Sequence, residues 1–201
     1  MAVNAPYGLR PKKYLNGANW NGKFNTYFIP SSDVSQYNIG DLVGAAANAD
    51  ANGIPAIQKA AVNGAYRGVC IGFQVSNVLE NIALAATPLN YALQQVPATK
   101  TNGYYAFVVD DPNVLFSIQD DGLTALTAVD VNLNANVTVA NPTAPAQLSA
   151  TVLTTSSVAT TGTLPLKIMG LVQEPGNVFG TYAHWMVKIN NHDLSNGSTA
   201  P

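Results

Sequence analysis

The chain has 201 residues, enough to bury a hydrophobic core within a single domain. Only 10% of its residues are charged, against roughly 25% in an ordinary soluble domain, and its formal net charge of −2 lacks the basic excess of general nucleic-acid-binding proteins. No apolar run approaches the ~20 residues of a membrane helix, so neither a nucleic acid nor a membrane is an expected partner. A polar but uncharged surface repels its neighbours weakly, which favours a protein whose faces are covered by other proteins.

The first 23 residues are predicted to form an extended arm, because Pro and Gly interrupt them and no sustained alternation occurs. The basic residues of this arm are Arg10, Lys12, Lys13 and Lys23, and no acidic residue precedes Asp33. Its aromatic anchors without a local core include Tyr7, Tyr14 and Trp20. Such an arm can pair with a neighbour's sheet or lie in a groove, and its charge suits an acidic partner. The alternative is an arm that folds back over its own domain.

Asn-Gly dipeptides and short runs of period two predict an all-β fold with little helix, an antiparallel sandwich or barrel that is jelly-roll-like. The predicted strands are 24–29, 41–46, 54–60, 66–75, 104–110, 114–119, 131–139, 148–153, 166–173 and 181–190. Short helical turns are favoured only at 78–86 and 124–129. We expect one β domain over residues 24–192 and a C-terminal tail at 193–201.

Residues 104–119 are predicted to form a β-hairpin, because Asp111 and Pro112 are typical of the first two positions of a type I turn. Aspartate pairs at 110–111 and 120–121 flank its second strand. Clustered carboxylates can bind a cation or serve catalysis. However, Asp is also favoured at the starts of turns, and a strand rising roughly 3.3 Å per residue holds the pairs apart. Turn formation is the favoured interpretation, with no catalytic, metal or cofactor site.

The clearest alternation lies at 131–139, where one face is predicted to enter the core. The opposite face is polar but uncharged, so a partner could cover it at low desolvation cost. Its interface candidates are Asn132, Asn134 and Asn136. This strand lies in the tract 122–166, in which Asp130 is the single charged residue. Within that tract, residues 139–165 are rich in Ala, Thr, Ser and Pro and are predicted to be a long loop or excursion.

Several segments together resemble the head proteins of tailed bacteriophages. They are MAVNAPYGLRPKKYLNG, FNTYFIPSSD, IGDLV, YAFVVDDPNVLFSIQDDG, LPLKIMGLVQEPGN and WMVKINNH. The chain is similar in this respect to the capsid decoration, or cement, proteins. The resemblance implies a non-enzymatic virion protein, made in the host cytoplasm, that binds the outside of the head as a homodimer or homotrimer and clamps adjacent major capsid subunits. If an N-terminal arm reaches the capsid, the contact candidates are Tyr7, Arg10, Lys12, Lys13, Tyr14 and Trp20.

Two other functions stay open on the residues alone. A surface-exposed carbohydrate- or receptor-binding β module of a virion would need a shallow aromatic platform, for which Tyr104, Tyr105, Tyr182 and Trp185 are available. An enzyme would use the aspartate pairs, although the sequence contains no nucleophile elbow, phosphate-binding loop or Cys-x-x-Cys motif. The two histidines, His184 and His192, share no metal-ligand spacing. Cys70 lies in an apolar segment and is expected in the core.

Overall fold

A computed structural model describes residues 3–62, 64–76 and 93–195, and it is all-β with mostly antiparallel sheets, as predicted. The strands are β1 (Arg10–Tyr14), β2 (Asn25–Ile29), β3 (Tyr37–Asn38), β4 (Leu42–Ala49), β5 (Pro55–Lys59), β6 (Gly68–Val75), β7 (Gln95–Val96), β8 (Tyr104–Val109), β9 (Val114–Gln119), β10 (Asn134–Thr138), β11 (Val152–Ala159), β12 (Leu166–Leu171) and β13 (His184–Ile189). Within these residues, one 3₁₀ turn, Ala128–Asp130, is the helical element. The helical turns predicted at 78–86 lie outside the described residues.

Two large sheets pack in a sandwich-like arrangement. Strands β2-β5-β4-β6-β8 close into a five-stranded barrel, and β1-β9-β13-β12-β10-β11 form a six-stranded sheet, while β3 and β7 pair separately. The barrel interior holds Phe73 and Cys70, which is fully buried as expected. A second core lies between the sheets, because Phe116 and Trp185 of the six-stranded sheet cluster with Leu42 of the barrel strand β4. One side of the six-stranded sheet therefore faces the barrel.

The turn after β8 forms as predicted, but the predicted hairpin is wrong. The Val114 amide donates to the Asp111 carbonyl at 3.1 Å, which closes the turn around Pro112. However, β8 pairs with β2 and β6 in the barrel, whereas β9 pairs with β1 and β13 in the other sheet. Every residue of β9 is buried, and β9 lies inside the six-stranded sheet between β1 and β13. The turn is therefore a crossover between the two sheets.

The leading segment is extended and folds back on its own domain. Strand β1 pairs antiparallel with β9 and forms one edge of the six-stranded sheet. Just before it, Leu9 is 1% exposed, and its amide donates to the Gly40 carbonyl at 2.9 Å. Gly8 has φ +71°, and a Cβ there would overlap the Gly40 carbonyl oxygen, so this close crossing requires glycine. Residues 7–14 are thus an integral part of the fold.

The middle of the chain forms the other edge of the same sheet. Strand β10 begins later than predicted because the 3₁₀ turn Ala128–Asp130 and a left-handed Asn132, with φ 72°, precede it. Its Ala135 and Val137 enter the core as expected. Within the predicted excursion 139–165, β11 pairs with β10 as the edge strand, so this tract contains regular structure. The strand predicted at 148–153 overlaps only the start of β11.

The end of the described chain closes the domain between the two sheets. His192 forms a β-bridge with Tyr66, and the Arg67 Nε donates to the Asp193 Oδ2 at 2.8 Å. His192 is 1% and Asp193 is 8% exposed. The first residues of the predicted tail 193–201 are therefore anchored, while residues 196–201 lie outside the described part.

Candidate functional site

The six-stranded sheet has one face in the core and one facing away from the barrel, which we call the outer face. Along β13 the side chains alternate, so that Trp185 and Val187 are buried in the core while Met186 and Lys188 are half-buried on the outer face. This alternation follows from the period of two in a β-strand. The outer face is a regular surface that no other described sheet covers.

Three lysines from three strands form a row across this outer face. Lys13 of β1 lies opposite Leu115 of β9, Leu115 lies opposite Lys188 of β13, and Lys188 lies opposite Lys167 of β12. Residues directly opposite in an antiparallel pair point to the same face, with Cβ atoms about 5 Å apart. Lys167 and Lys188 are therefore like charges in direct apposition, which destabilises a sheet. We call Lys13, Lys188 and Lys167 the lysine row.

The nine basic residues of the chain divide into a group that forms ion pairs and a group that does not. Three of them, near the barrel strands, form ion pairs. These pairs are Lys59 Nζ–Asp41 Oδ2 at 2.9 Å, Arg67 Nε–Asp193 Oδ2 at 2.8 Å and Lys100 Nζ–Asp33 Oδ1 at 4.0 Å. None of the remaining six forms an ion pair with another residue of the described ranges. They are Arg10, Lys12, Lys13, Lys23, Lys167 and Lys188. Five of these six belong to β1, β12 or β13, the strands that present the outer face.

A groove of about 700 Å³ runs along the outer face between β1 and β12. Its floor is apolar, formed by Leu115 of β9 and Met186 of β13, because these two strands lie between β1 and β12 in the sheet. One wall carries Lys12 and Lys13, and the other follows β12 into residues 172–174. The groove therefore combines an aliphatic floor with a cationic wall.

The chain's own first described residues cover the opposite end of this outer face. The Gln119 side chain accepts from the Ala5 amide at 2.9 Å and donates to the Val3 carbonyl at 2.9 Å. The Tyr7 ring packs edge-on against the His184 ring, with centroids 5.3 Å apart. His184 in turn is hydrogen-bonded to Glu174, which lines the far end of the groove. The residues before β1 thus leave the lysine end of the groove open.

The predicted capsid-contact residues fall into two groups. Arg10, Lys12 and Lys13 are exposed. Tyr7 is 9% exposed beneath the Arg10 guanidinium, whose carbon lies 4.2 Å from the ring centroid, and burial raises the pKa of the Tyr7 phenol. Tyr14 and Trp20 are half-buried and pack against the core. The aromatic anchors therefore hold the leading segment to its own sheet and leave the cations available.

Lys167 and Lys188 were missed by sequence reasoning, although one signal for them existed. Lys188 falls on the polar side of the alternation at 181–190, together with Met186. Their proximity to Lys13 depends on the order β1-β9-β13-β12, which joins strands distant along the chain. Alternation along one strand does not reveal which strands become neighbours.

The three asparagines predicted to form an interface differ in how exposed they are. Asn132 is exposed, whereas Asn134 is 9% exposed and its Nδ2 donates to the Thr161 carbonyl at 3.0 Å. Asn136 is half-buried, and its amide donates to the Ser157 hydroxyl at 2.7 Å. Asn134 lies opposite Lys167, so it extends the lysine row towards the sheet edge. Only Asn132 of the three is fully open to a partner.

The aspartates of these pairs accept hydrogen bonds from residues at turns and in neighbouring strands. Asp120 is fully buried and accepts from the amides of Tyr182 and Ala183, at 2.6 and 3.1 Å, and from the Trp185 indole at 2.9 Å. Burial raises the pKa of the Asp120 carboxyl, although these donors oppose the rise. Asp110 accepts from the Tyr27 hydroxyl at 2.6 Å. Across the described ranges, no three His, Cys, Asp or Glu side chains are grouped to hold a metal ion.

Three of the four aromatic residues considered for a carbohydrate platform do not share a surface. Tyr104 and Tyr105 follow one another on β8 in the barrel, so they point to opposite faces of that strand. Trp185 belongs to the other sheet and is fully buried. Tyr105 is half-buried, and its hydroxyl donates to Asp50 at 2.7 Å. Trp185 can therefore take no part in a binding platform.

No known protein family, curated protein or solved structure matches this chain. The resemblance to capsid decoration proteins therefore stays a prediction from the residues that carry it. In the parts of the chain that the structure describes, no helix has the length and apolar character that crossing a bilayer demands.

Proposed function

We propose that this chain is a structural virion protein that binds the outer surface of a phage head and cements adjacent major capsid subunits. The observation that carries the proposal is the lysine row, in which unpaired cations from β1, β12 and β13 meet on one face of a chain with net charge −2. Directly opposed lysines reduce the stability of the sheet. An acidic partner surface would remove this repulsion, so the arrangement favours binding over stability.

The chemistry of the remaining surface supports the same function. Uncharged Asn, Thr, Ser and Ala side chains can be covered at a low desolvation cost, while lysines steer the approach to an acidic surface. A homodimer or homotrimer would present several such faces at once, so that contacts that are weak singly become strong together. This role needs neither a cofactor nor catalytic turnover, and the resemblance of the segments quoted above to decoration proteins agrees with it.

The proposal is tested by co-sedimentation with heads assembled from the major capsid protein alone. We expect saturable binding to assembled heads that weakens as salt rises, because salt screens exposed charges. A triple variant with Lys13→Glu, Lys167→Glu and Lys188→Glu should lose this binding. The control is Lys23→Glu, which reverses an unpaired lysine outside the lysine row and should bind as the parent does. Failure of the parent protein to bind assembled heads would refute the function.

A further inference from the structure

The groove on the outer face has the dimensions and chemistry of a site for one extended polypeptide. We infer that it binds an extended segment of a partner polypeptide in which acidic and aliphatic side chains alternate. This inference rests on the proposed function, in which the partner is a major capsid subunit, and it specifies which part of that partner is held.

The width of the groove fits a single extended chain. Its walls, β1 and β12, are separated by β9 and β13, so three inter-strand steps lie between them. At about 4.8 Å a step, the wall strands are about 14 Å apart. Neighbouring extended chains lie about 4.8 Å apart side by side, so an extended segment has room to lie over β9 and β13 between the two walls.

The two chemistries of the groove match the two faces of such a strand. Successive side chains of an extended segment point in opposite directions. Aliphatic side chains directed downwards would contact Leu115 and Met186, which are the apolar floor. The alternate carboxylates would point away from the floor, where the long side chains of Lys12 and Lys13 on the wall can meet them. Glu174 is already bonded to His184 at the other end, so the partner's carboxylates belong at the lysine end.

The molecule itself shows that this outer face holds an extended chain. Residues 3–5 lie beside Gln119, whose side chain both accepts from the Ala5 amide and donates to the Val3 carbonyl. Further along the chain β1 follows, and its backbone pairs with β9. The described leading segment therefore covers the Gln119 end of the outer face and leaves the lysine end of the groove uncovered.

The floor favours a peptide over a nucleic acid. A sugar-phosphate backbone has no aliphatic side chains for Leu115 and Met186, and single-stranded nucleic acids are usually held by aromatic side chains on which bases stack. The floor residues Leu115 and Met186 carry no aromatic ring, and the one ring among the described lining residues, Tyr14 on the β1 wall, packs against the core. Its cations are lysines, whereas the planar guanidinium of arginine is the preferred group for phosphate.

Fluorescence anisotropy of the full chain tests the inference with three labelled probes at low salt. The probes are a decapeptide of alternating Glu and Val, the same peptide with Lys in place of Glu, and a ten-nucleotide oligothymidylate. The groove variant carries Lys12→Glu with Lys13→Glu, the two lysines that line the wall, and the control carries Lys23→Glu. We expect the Glu–Val peptide alone to bind, and the groove variant to bind it about tenfold more weakly while the control is unchanged. Met186→Gln should weaken binding about threefold through loss of apolar contact.

Three results would overturn the inference. They are equal binding of the Glu–Val peptide by the groove variant and the parent, binding of oligothymidylate at least as tight as that of the peptide, and no peptide binding at all. Circular dichroism of each variant shows whether it is folded before binding is compared. Co-sedimentation of the parent with assembled heads separates the two proposals, because heads that bind a protein with an inactive groove would leave the cementing role intact.

Discussion

The basic residues beside the barrel and those on the outer face are held in opposite ways. Lys59 and Arg67 each form an ion pair with a buried carboxylate, at 2.9 and 2.8 Å, so their charges stabilise the folded domain. Lys167 and Lys188 instead oppose one another on the sheet surface without a described carboxylate partner. In a chain with 9 basic residues, such a division separates charges that stabilise the domain from charges that are free to meet another molecule.

Lys59→Met should give the largest effect of any single change to these basic residues. Asp41 is fully buried, and burial raises the pKa of its carboxyl, whereas the nearby Lys59 ammonium lowers it. Removal of the cation leaves a buried carboxylate without its charge partner, which should lower the free energy of unfolding by about 3 kcal/mol. Urea denaturation measures this loss. Lys23→Met is the control, and its free energy of unfolding should stay within about 0.5 kcal/mol of the parent's. An equally small loss in Lys59→Met would show that the Lys59–Asp41 pair does not stabilise the fold.

Arg67→Met should destabilise the domain by a smaller amount, about 2 kcal/mol. The guanidinium bonds Asp193 and also donates to the Tyr27 hydroxyl at 3.4 Å, but it is partly exposed to solvent. Water therefore screens part of the interaction. Urea denaturation at neutral pH provides the measurement, and Arg67→Lys should recover part of the lost stability if charge matters. No recovery would show that the planar guanidinium geometry dominates.

Acidification should weaken the same anchored end of the chain through His192. Burial lowers the pKa of this imidazole below its usual 6.5, so the folded state holds it neutral. Between the lowered pKa and 6.5 the unfolded state binds more protons, so stability is lost as pH falls below about 6.5. Thermal melting from pH 7.5 to 5 should show this decline. It should be shallower in His192→Asn, and identical slopes would exclude His192 as the cause.

Lys167→Glu should have the smallest effect on stability, and in the opposite direction. The change replaces two opposed like charges by an opposite pair with Lys188, which should raise the free energy of unfolding by about 0.5 kcal/mol. The same variant should bind assembled heads more weakly, because the lysine row loses a cation. A parallel measurement of Lys167→Gln separates removal of repulsion from creation of a new pair. The prediction would be wrong if Lys167→Glu were less stable than the parent and still bound heads fully.

The sequence predicts local features of this molecule well and its pairings poorly. The turn at Asp111 and Pro112 is specified by residue types that are adjacent in the chain. The partners of β9 are not, because they come from β1 and β13, far away on either side. Burial of Leu9 likewise depends on Gly40, a contact that no local pattern encodes.

The same limitation applies to the candidate site and to the experiments that address it. Arg10, Lys12 and Lys13 stand out because basic residues cluster in the leading segment, but Lys167 and Lys188 join them only through sheet register. Asn134 is buried against Thr161, so a lysine there would disturb the fold before it tested an interface. Deletion of residues 1–20 would remove β1 and Leu9. Substitution of exposed cations is therefore the cleaner test of head binding.

Because β1 pairs with β9, the sheet edge that β1 forms cannot be completed until β9 has been synthesised. The Gln119 side chain bonds Val3 across 116 residues of sequence. At about 5–20 residues per second, a ribosome needs roughly 6–23 s to make the chain between them. Strand β1 is thus translated before its partner β9, and during that interval its backbone hydrogen-bonding groups are open. The lysines and the proline of β1 disfavour edge-to-edge association of such a strand, so they protect the nascent chain until β9 emerges.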